Sequence, residues 1–96
     1  MAAAIKMNSV YKALSDSTRR KIMAMLRERD MTAGEIAEHF ELKKPTLSKH
    51  FAVLREAGLI QGDKKGTVIT YHLNVSVLEE ALLSLMNFFR IEGEKR

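Results

Sequence analysis

The sequence of 96 residues contains no cysteine. That excludes disulfides, thiolate metal sites and thiol redox sensing together, and it is compatible with a cytoplasmic location. Tryptophan is also absent, and there is a single proline, Pro45. Nowhere is there a run of about 18 apolar residues, which excludes a membrane-spanning helix. The opening MAAAIKMNS is too short in its apolar part for a secretory signal. Residues 1–6 read as a flexible extension or a leader, with Met7 a second candidate start. The chain has no glycine-rich phosphate loop, no paired-carboxylate cleft signature and no cofactor fingerprint. No enzyme and no cofactor are expected. What remains is ordinary for one folded domain spanning residues 1–96: 46% apolar and 29% charged residues, with net charge +4. That charge fits nucleic acid or an anionic surface without choosing between them.

Distribution is more informative than the sum. Glu28, Asp30, Glu35, Glu38 and Glu41 make an acidic stretch, whereas Leu42 to Arg55 holds no acid and carries Lys43, Lys44, Lys49 and Arg55. Overlapping it, Pro45 to Ala57 reads as a helix. At about 100° per residue, Leu47, Phe51, Leu54 and Gly58 fall on one narrow stripe. Pro45, Thr46, Ser48, Lys49, Ala52 and Val53 occupy the opposite side. Short side chains let a helix axis approach the floor of a major groove, where hydroxyls and amines meet base edges. The alternative is a solvated amphipathic helix of a small bundle. Upstream, Thr32 and Glu35 form a capping box, and Ile36, Ala37 and Phe40 give a short helix its apolar side. Glu41 to Lys44 is a tight turn, and Pro45 suits a first helical turn. Short helix, turn, basic and hydroxylated second helix is the helix-turn-helix arrangement. Lys43 and Lys44 cannot accept from first-turn amides, and two cations sit badly at a positive helix end. A bound phosphate would relieve both defects.

Met7, Val10, Tyr11 and Leu14 have helical spacing and predict a first helix. Ser15-Asp16-Ser17 offers caps for a second over Thr18 to Glu28, with Ile22, Met23 and Leu26 inward. Its first turn carries Thr18, Arg19, Arg20 and Lys21, either a solvated basic turn or a clamp on phosphate. After the helix terminator Gly58, Leu59 to Gly62 and Thr67 to Leu73 read as strands of a hairpin. Asp63-Lys64-Lys65-Gly66 is the predicted turn, its lysines simply solvated or reaching a flanking phosphate or minor groove as a wing. Ser76 with Glu79 makes a second capping box that opens the last helix. There Leu78, Leu82, Leu85 and Phe89 form one stripe, while Ala81, Leu83, Met86, Phe88 and Ile91 spread apolar surface around the axis. Either a second copy covers this helix together with the first, or it lies inside a monomer. Glu92 to Arg96 is a charged tail expected to fray.

The predicted class is mainly α with a small β-hairpin, in the order α-α-α-α-β-β-α of a winged helix-turn-helix. ALSDSTRRKIMAML (Ala13 to Leu26), MTAGEIAEHF (Met31 to Phe40), KKPTLSKHFAVLREAGLI (Lys43 to Ile60) and KKGTVITYHLN (Lys64 to Asn74) carry a resemblance. In them the sequence resembles the ArsR/SmtB family of winged-helix transcriptional repressors, and among its subgroups the SdpR-type autorepressors without metal ligands. The resemblance implies a homodimeric repressor of transcription that binds double-stranded DNA at a palindromic operator. Lys43, Lys44, Thr46, Ser48, Lys49 and His50 would then belong to the recognition helix. Arg19 and Arg20 would lie near phosphates or the subunit core, and Lys64 and Lys65 would be wing contacts. Terminal helices would form the dimer interface through Val10, Tyr11, Leu14, Leu78, Leu82, Leu85, Met86 and Phe89. Ser17 stands where the family often has proline, and Lys43 where it often has a polar cap.

Glu35 and His39, one turn apart, could share an ion, but two mixed ligands are too few for a closed site. The last helix offers Glu79 and Glu80 without a histidine, and His72 lies in a predicted strand, so no metal is expected. Ser48, His50 and Asp16 do not make a triad, because Ser48 and His50 are two helical positions apart and do not face each other. His50 is either a donor to phosphate or base, or a satisfied histidine beside Phe51. Two other functions compete with the repressor: a winged-helix module binding a protein and no DNA, and a repressor responding to an unrecognised metal or small molecule. A regulatory protein is a further expected partner.

Overall fold

The computed structural model describes residues 6–91. Expectations for residues 1–5 and for the tail Glu92 to Arg96 lie outside them. The elements are α1 (Met7–Leu14), α2 (Ser17–Glu28), β1 (Met31–Thr32), α3 (Ala33–Ala37), α4 (Lys44–Glu56), β2 (Ile60–Lys65), β3 (Val68–Leu73) and α5 (Val75–Phe88).

Local chemistry sets most boundaries. Asp16 caps α2, its Oδ2 accepting from the amides of Thr18 at 2.8 Å and Arg19 at 3.2 Å. The helix accordingly starts at Ser17, one residue before the predicted Thr18. The Thr32–Glu35 capping box is present in both directions: the Glu35 amide donates to Thr32 Oγ1 at 3.0 Å, and the Thr32 amide donates to Glu35 Oε1 at 2.9 Å. Gly58, at φ 76°, ends α4. Its amide donates to the Arg55 carbonyl at 2.9 Å and the Leu59 amide to that of Leu54 at 3.0 Å, the two bonds of a Schellman stop.

The sheet departs from the two-stranded expectation. β1 pairs antiparallel with β3, giving the order β1-β3-β2. Met31 and Thr32 are too few to display alternation, and partners 38 and 40 residues downstream, Thr70 for Thr32 and Tyr71 for Met31, make them a strand. Likewise the turn moves. Asp63, Lys64 and Lys65 continue β2, and pairing of Lys65 with Val68 leaves a two-residue loop, Gly66-Thr67. Gly66 has φ 62°, the positive first central position of a type II′ hairpin turn.

Tyr71 lies at the centre of the fold. It pairs with Met31 on one side and Gly62 on the other, and is 2% exposed. Its ring packs on Phe51 of α4 with centroids 4.6 Å apart. A Cβ at Gly62 would stand 2.9 Å from Tyr71 Cε1 and 3.0 Å from Ile69 Cγ2, so the strand passes here only as glycine. Around this pair Ile22, Leu26, Ile36, Leu47, Leu54 and Leu59 complete the core shared by α2, α3, α4 and the sheet.

The predicted Ser76–Glu79 box does not form. α5 begins at Val75 behind Asn74, which makes no side-chain cap. Asn74 instead reaches back: its amide donates to the Leu59 carbonyl at 2.9 Å and its Nδ2 to that of Gly58 at 2.8 Å. These long-range bonds fix where the chain leaves β3, two residues before Ser76. Within α5 only Ala81 is buried, with Val77 and Leu78 packed against the core. Leu82, Leu83, Phe88 and Phe89 are exposed, as is Ile91 just beyond the helix, which rules out a helix internal to the monomer. Val10 is corrected in the opposite sense. At 1% exposure it belongs to the protomer core and has no surface to offer a second copy.

Candidate nucleic-acid interface

The packed stripe of α4 dictates what its other side presents. With Leu47, Phe51 and Leu54 buried, Lys43, Lys44, Pro45, Thr46, Ser48 and Lys49 are all exposed. A groove between α3 and α4, lined by Ala33, Gly34, Ala37, Lys44, Leu47, Ser48 and Phe51, runs beside them. At the helix start, Lys43 stands at the capping position with no side-chain bond to the first turn, and Pro45 lacks an amide proton. The first-turn amides of Lys44 and Thr46 therefore have no helical carbonyl to bond, and two ammonium groups accompany them. An anion answers both.

Behind this surface, two contacts hold α4. On one flank the Arg55 Nη1 donates to the Tyr71 hydroxyl at 3.1 Å, joining α4 to the middle of the sheet. On the other, His50 Nδ1 lies 3.1 Å from Arg19 Nη1 and 3.9 Å from Asp16 Oδ2, joining it to the start of α2.

The arginine pair read from sequence as one unit divides. Arg19 is half-buried and turned to the end of α1: Nε donates to the Ala13 carbonyl at 3.0 Å and Nη2 to that of Lys12 at 2.6 Å. Arg20 is exposed, with one N–H on the Leu14 carbonyl at 2.6 Å. Both guanidiniums donate to carbonyls in the last turn of α1, a helix C-terminus where positive charge is favourable. Asp16 is held between opposing influences. Partial burial raises its carboxyl, but the amides of Arg19 and Thr18, with the charges of His50 and Arg19, bring it below its ordinary range.

Lys64 and Lys65 are exposed at the end of β2, next to the Gly66-Thr67 turn. The Glu35 carboxylate is engaged by the Thr32 amide, with Arg29 at 3.8 Å. The Thr32 amide bond, opposed by partial burial and aided by Arg29, lowers its pKa. His39 Nδ1 lies 3.1 Å from the Glu35 backbone carbonyl. Among the described residues no group of three or more His, Asp or Glu is placed to hold a metal ion.

Sequence reasoning missed Arg55 and Tyr71 as bracing residues, and the cross-link from Arg19 to His50. Phe51 and Arg55 are one turn apart on α4, a spacing that could have suggested a shared partner. Nothing local pointed to Arg19, because its side-chain partners come from two other helices, α1 and α4.

The model of the bacterial regulatory protein arsR family matches residues 16–61, from the Asp16 cap through α4 to the start of β2. The transcriptional repressor SdpR of Bacillus subtilis (strain 168) is 49% identical over 82 residues, 85% of this chain and 91% of that protein. The chain belongs to the arsR family. Within that family, the arsenical resistance operon repressor of Staphylococcus aureus is 32% identical over 80 residues, 83% of this chain and 77% of that protein. An ArsR-like transcriptional regulator from Rhodococcus sp. RHA1 superposes with a TM-score of 0.77 at 28% identity, covering 88% of this chain and 79% of that one. The arsR fold is a winged helix-turn-helix, here with α3 and α4 as the two helices and β2-β3 as the wing.

Proposed function

We propose that this arsR-family chain is a DNA-binding transcriptional repressor acting as a homodimer on a palindromic operator. Family membership supports the class of function. The observation that carries the reading on this chain is the exposed start of α4, where Thr46, Ser48 and Lys49 stand beside uncapped amides and the lysines Lys43 and Lys44. Thr46, Ser48, Lys49 and His50 meet base edges or nearby phosphates in a major groove, while Lys43 and Lys44 neutralise phosphate at the helix start. Arg20, Lys64 and Lys65 supply further phosphate contacts. Arg19, spent on α1 and His50, positions the helix.

Homodimerisation is supported by the apolar side of α5. Leu82, Leu83, Phe88 and Phe89, with Tyr11 from α1, are exposed large side chains of the kind an isologous contact buries. Leu14, Leu78, Leu85 and Met86, each partly buried, lie at its inner edge. No helix among the described residues is long and apolar enough to cross a membrane, and the site of action is the DNA itself, in the cytoplasm.

A gel shift with random-sequence duplex at low salt tests the reading. Retention that weakens steeply as salt rises is expected. No retention at any salt would contradict it.

A further inference from the structure

The ring of His50, on the recognition helix, is held from behind by α2. Its side chain is 16% exposed, and its Nδ1 meets two groups of opposite demand on α2. Arg19 Nη1, at 3.1 Å, can only donate, so it needs a bare Nδ1. Asp16 Oδ2, at 3.9 Å, can only accept, so it would favour a proton there. The guanidinium is nearer, and it is itself fixed by the carbonyls of Lys12 and Ala13. The Asp16 oxygen is meanwhile occupied by the amides of Thr18 and Arg19. A bare Nδ1 places the proton of neutral imidazole on Nε2. Among the described residues Nε2 has no protein partner, yet no buried side-chain polar atom is left unsatisfied, so Nε2 reaches solvent. His50 lies one turn after the exposed Thr46, on the same flank of α4.

We propose that Arg19 is a positioning residue that selects the Nε2–H tautomer of His50, so that the recognition helix presents a hydrogen-bond donor at that position to an acceptor on DNA. This rests on the DNA-binding reading above. Without the Arg19 donor, Asp16 draws the proton to Nδ1, and Nε2 meets phosphate or base-edge lone pairs with a lone pair of its own.

The test joins nitrogen NMR of the imidazole to binding measurements. At about pH 8, above the ordinary histidine range, wild-type His50 should show a bare Nδ1 and a protonated Nε2. Arg19→Met, which keeps the length of the stem without a donor, should move the proton to Nδ1. In binding, glutamine carries its amide nitrogen near the Nε2 position, whereas asparagine carries only the Nδ1-side group. His50→Gln should retain affinity for duplexes that the wild type selects from a random library, and His50→Asn should lose about ten-fold or more. A loss equal on selected and random duplex identifies the acceptor as phosphate; a loss confined to selected duplex identifies a base edge. A proton on Nδ1 in the wild type, a folded Arg19→Met that keeps its proton on Nε2, or equal losses in the two His50 variants would overturn the proposal. Should Arg19→Met fail to fold, scalar coupling across the Arg19 Nη1–His50 Nδ1 hydrogen bond in the wild type reads the same contact, and its absence would overturn the proposal. Absence of any wild-type DNA binding would instead remove the DNA-binding reading, a separate outcome.

Discussion

The Tyr71 hydroxyl accepts a hydrogen bond from the Arg55 guanidinium at 3.1 Å, and so ties the recognition helix to the central strand of the sheet that carries the wing. One side chain thereby fixes the relative placement of the two parts that would contact DNA. Its ring packs on Phe51, one turn before Arg55, so α4 is gripped at two successive turns.

Tyr71→Phe should keep the ring packing and remove only the bond, costing about 1 kcal/mol in urea unfolding. Gly62→Ala should cost more, roughly 1–3 kcal/mol, because the ring that its Cβ would meet is pinned and cannot withdraw. Equal stability of the alanine variant and wild type would mean that the strand shifts freely past Tyr71.

Acid stability follows from the two helix-start carboxylates. Asp16 and Glu35 both titrate below their ordinary range in the folded chain. A depressed folded value contributes stability that is fully present above the unfolded value and is lost as pH falls through the folded one. Unfolding free energy should therefore decline from about pH 4 downward. Asp16→Asn and Glu35→Gln should each flatten that decline. A slope unchanged in both variants would contradict the role of these carboxylates.

Leu82→Glu and Phe89→Glu alter side chains already in solvent in the protomer. Sedimentation should find these variants monomeric with unchanged circular dichroism, and their affinity for palindromic duplex should fall. Val10→Ala should do the reverse, lowering stability by roughly 2 kcal/mol without a change in association, because Val10 lies in the protomer core.

Contacts to base and to phosphate separate by their salt and sequence dependence. Lys65→Ala should weaken binding to all duplexes alike and reduce the salt slope by about one. Ser48→Ala should instead relax selection at particular positions, costing about 1–3 kcal/mol there. Identical effects of the two substitutions would argue against the division of roles.

What could be read from the sequence was what neighbours decide. The Thr32–Glu35 box, the Gly58 stop and the Leu47-Phe51-Leu54 stripe depend on spacings within a few residues, and each stands as spacing predicts. The failures share one cause. Met31-Thr32 is a strand only because Thr70 and Tyr71 lie beside it, and α5 starts early because Asn74 is tied to Gly58 and Leu59. Val10 shares helical spacing with Tyr11 and Leu14, but spacing cannot say whether an apolar stripe faces its own core or a second copy. Arg19 and Arg20 are adjacent and chemically identical; only the carbonyls at the end of α1 and the ring of His50 separate them. The exposed start of α4 was readable because its defect, lysines where a cap belongs, is local.

The most direct measurement is selection of duplexes from a random library by the wild-type protein. Enrichment of an inverted repeat, with half-site centres about 34 Å or a multiple apart, is predicted for two recognition helices related by a two-fold axis. Recovery of unenriched sequence, with no salt-dependent retention of DNA, would contradict it.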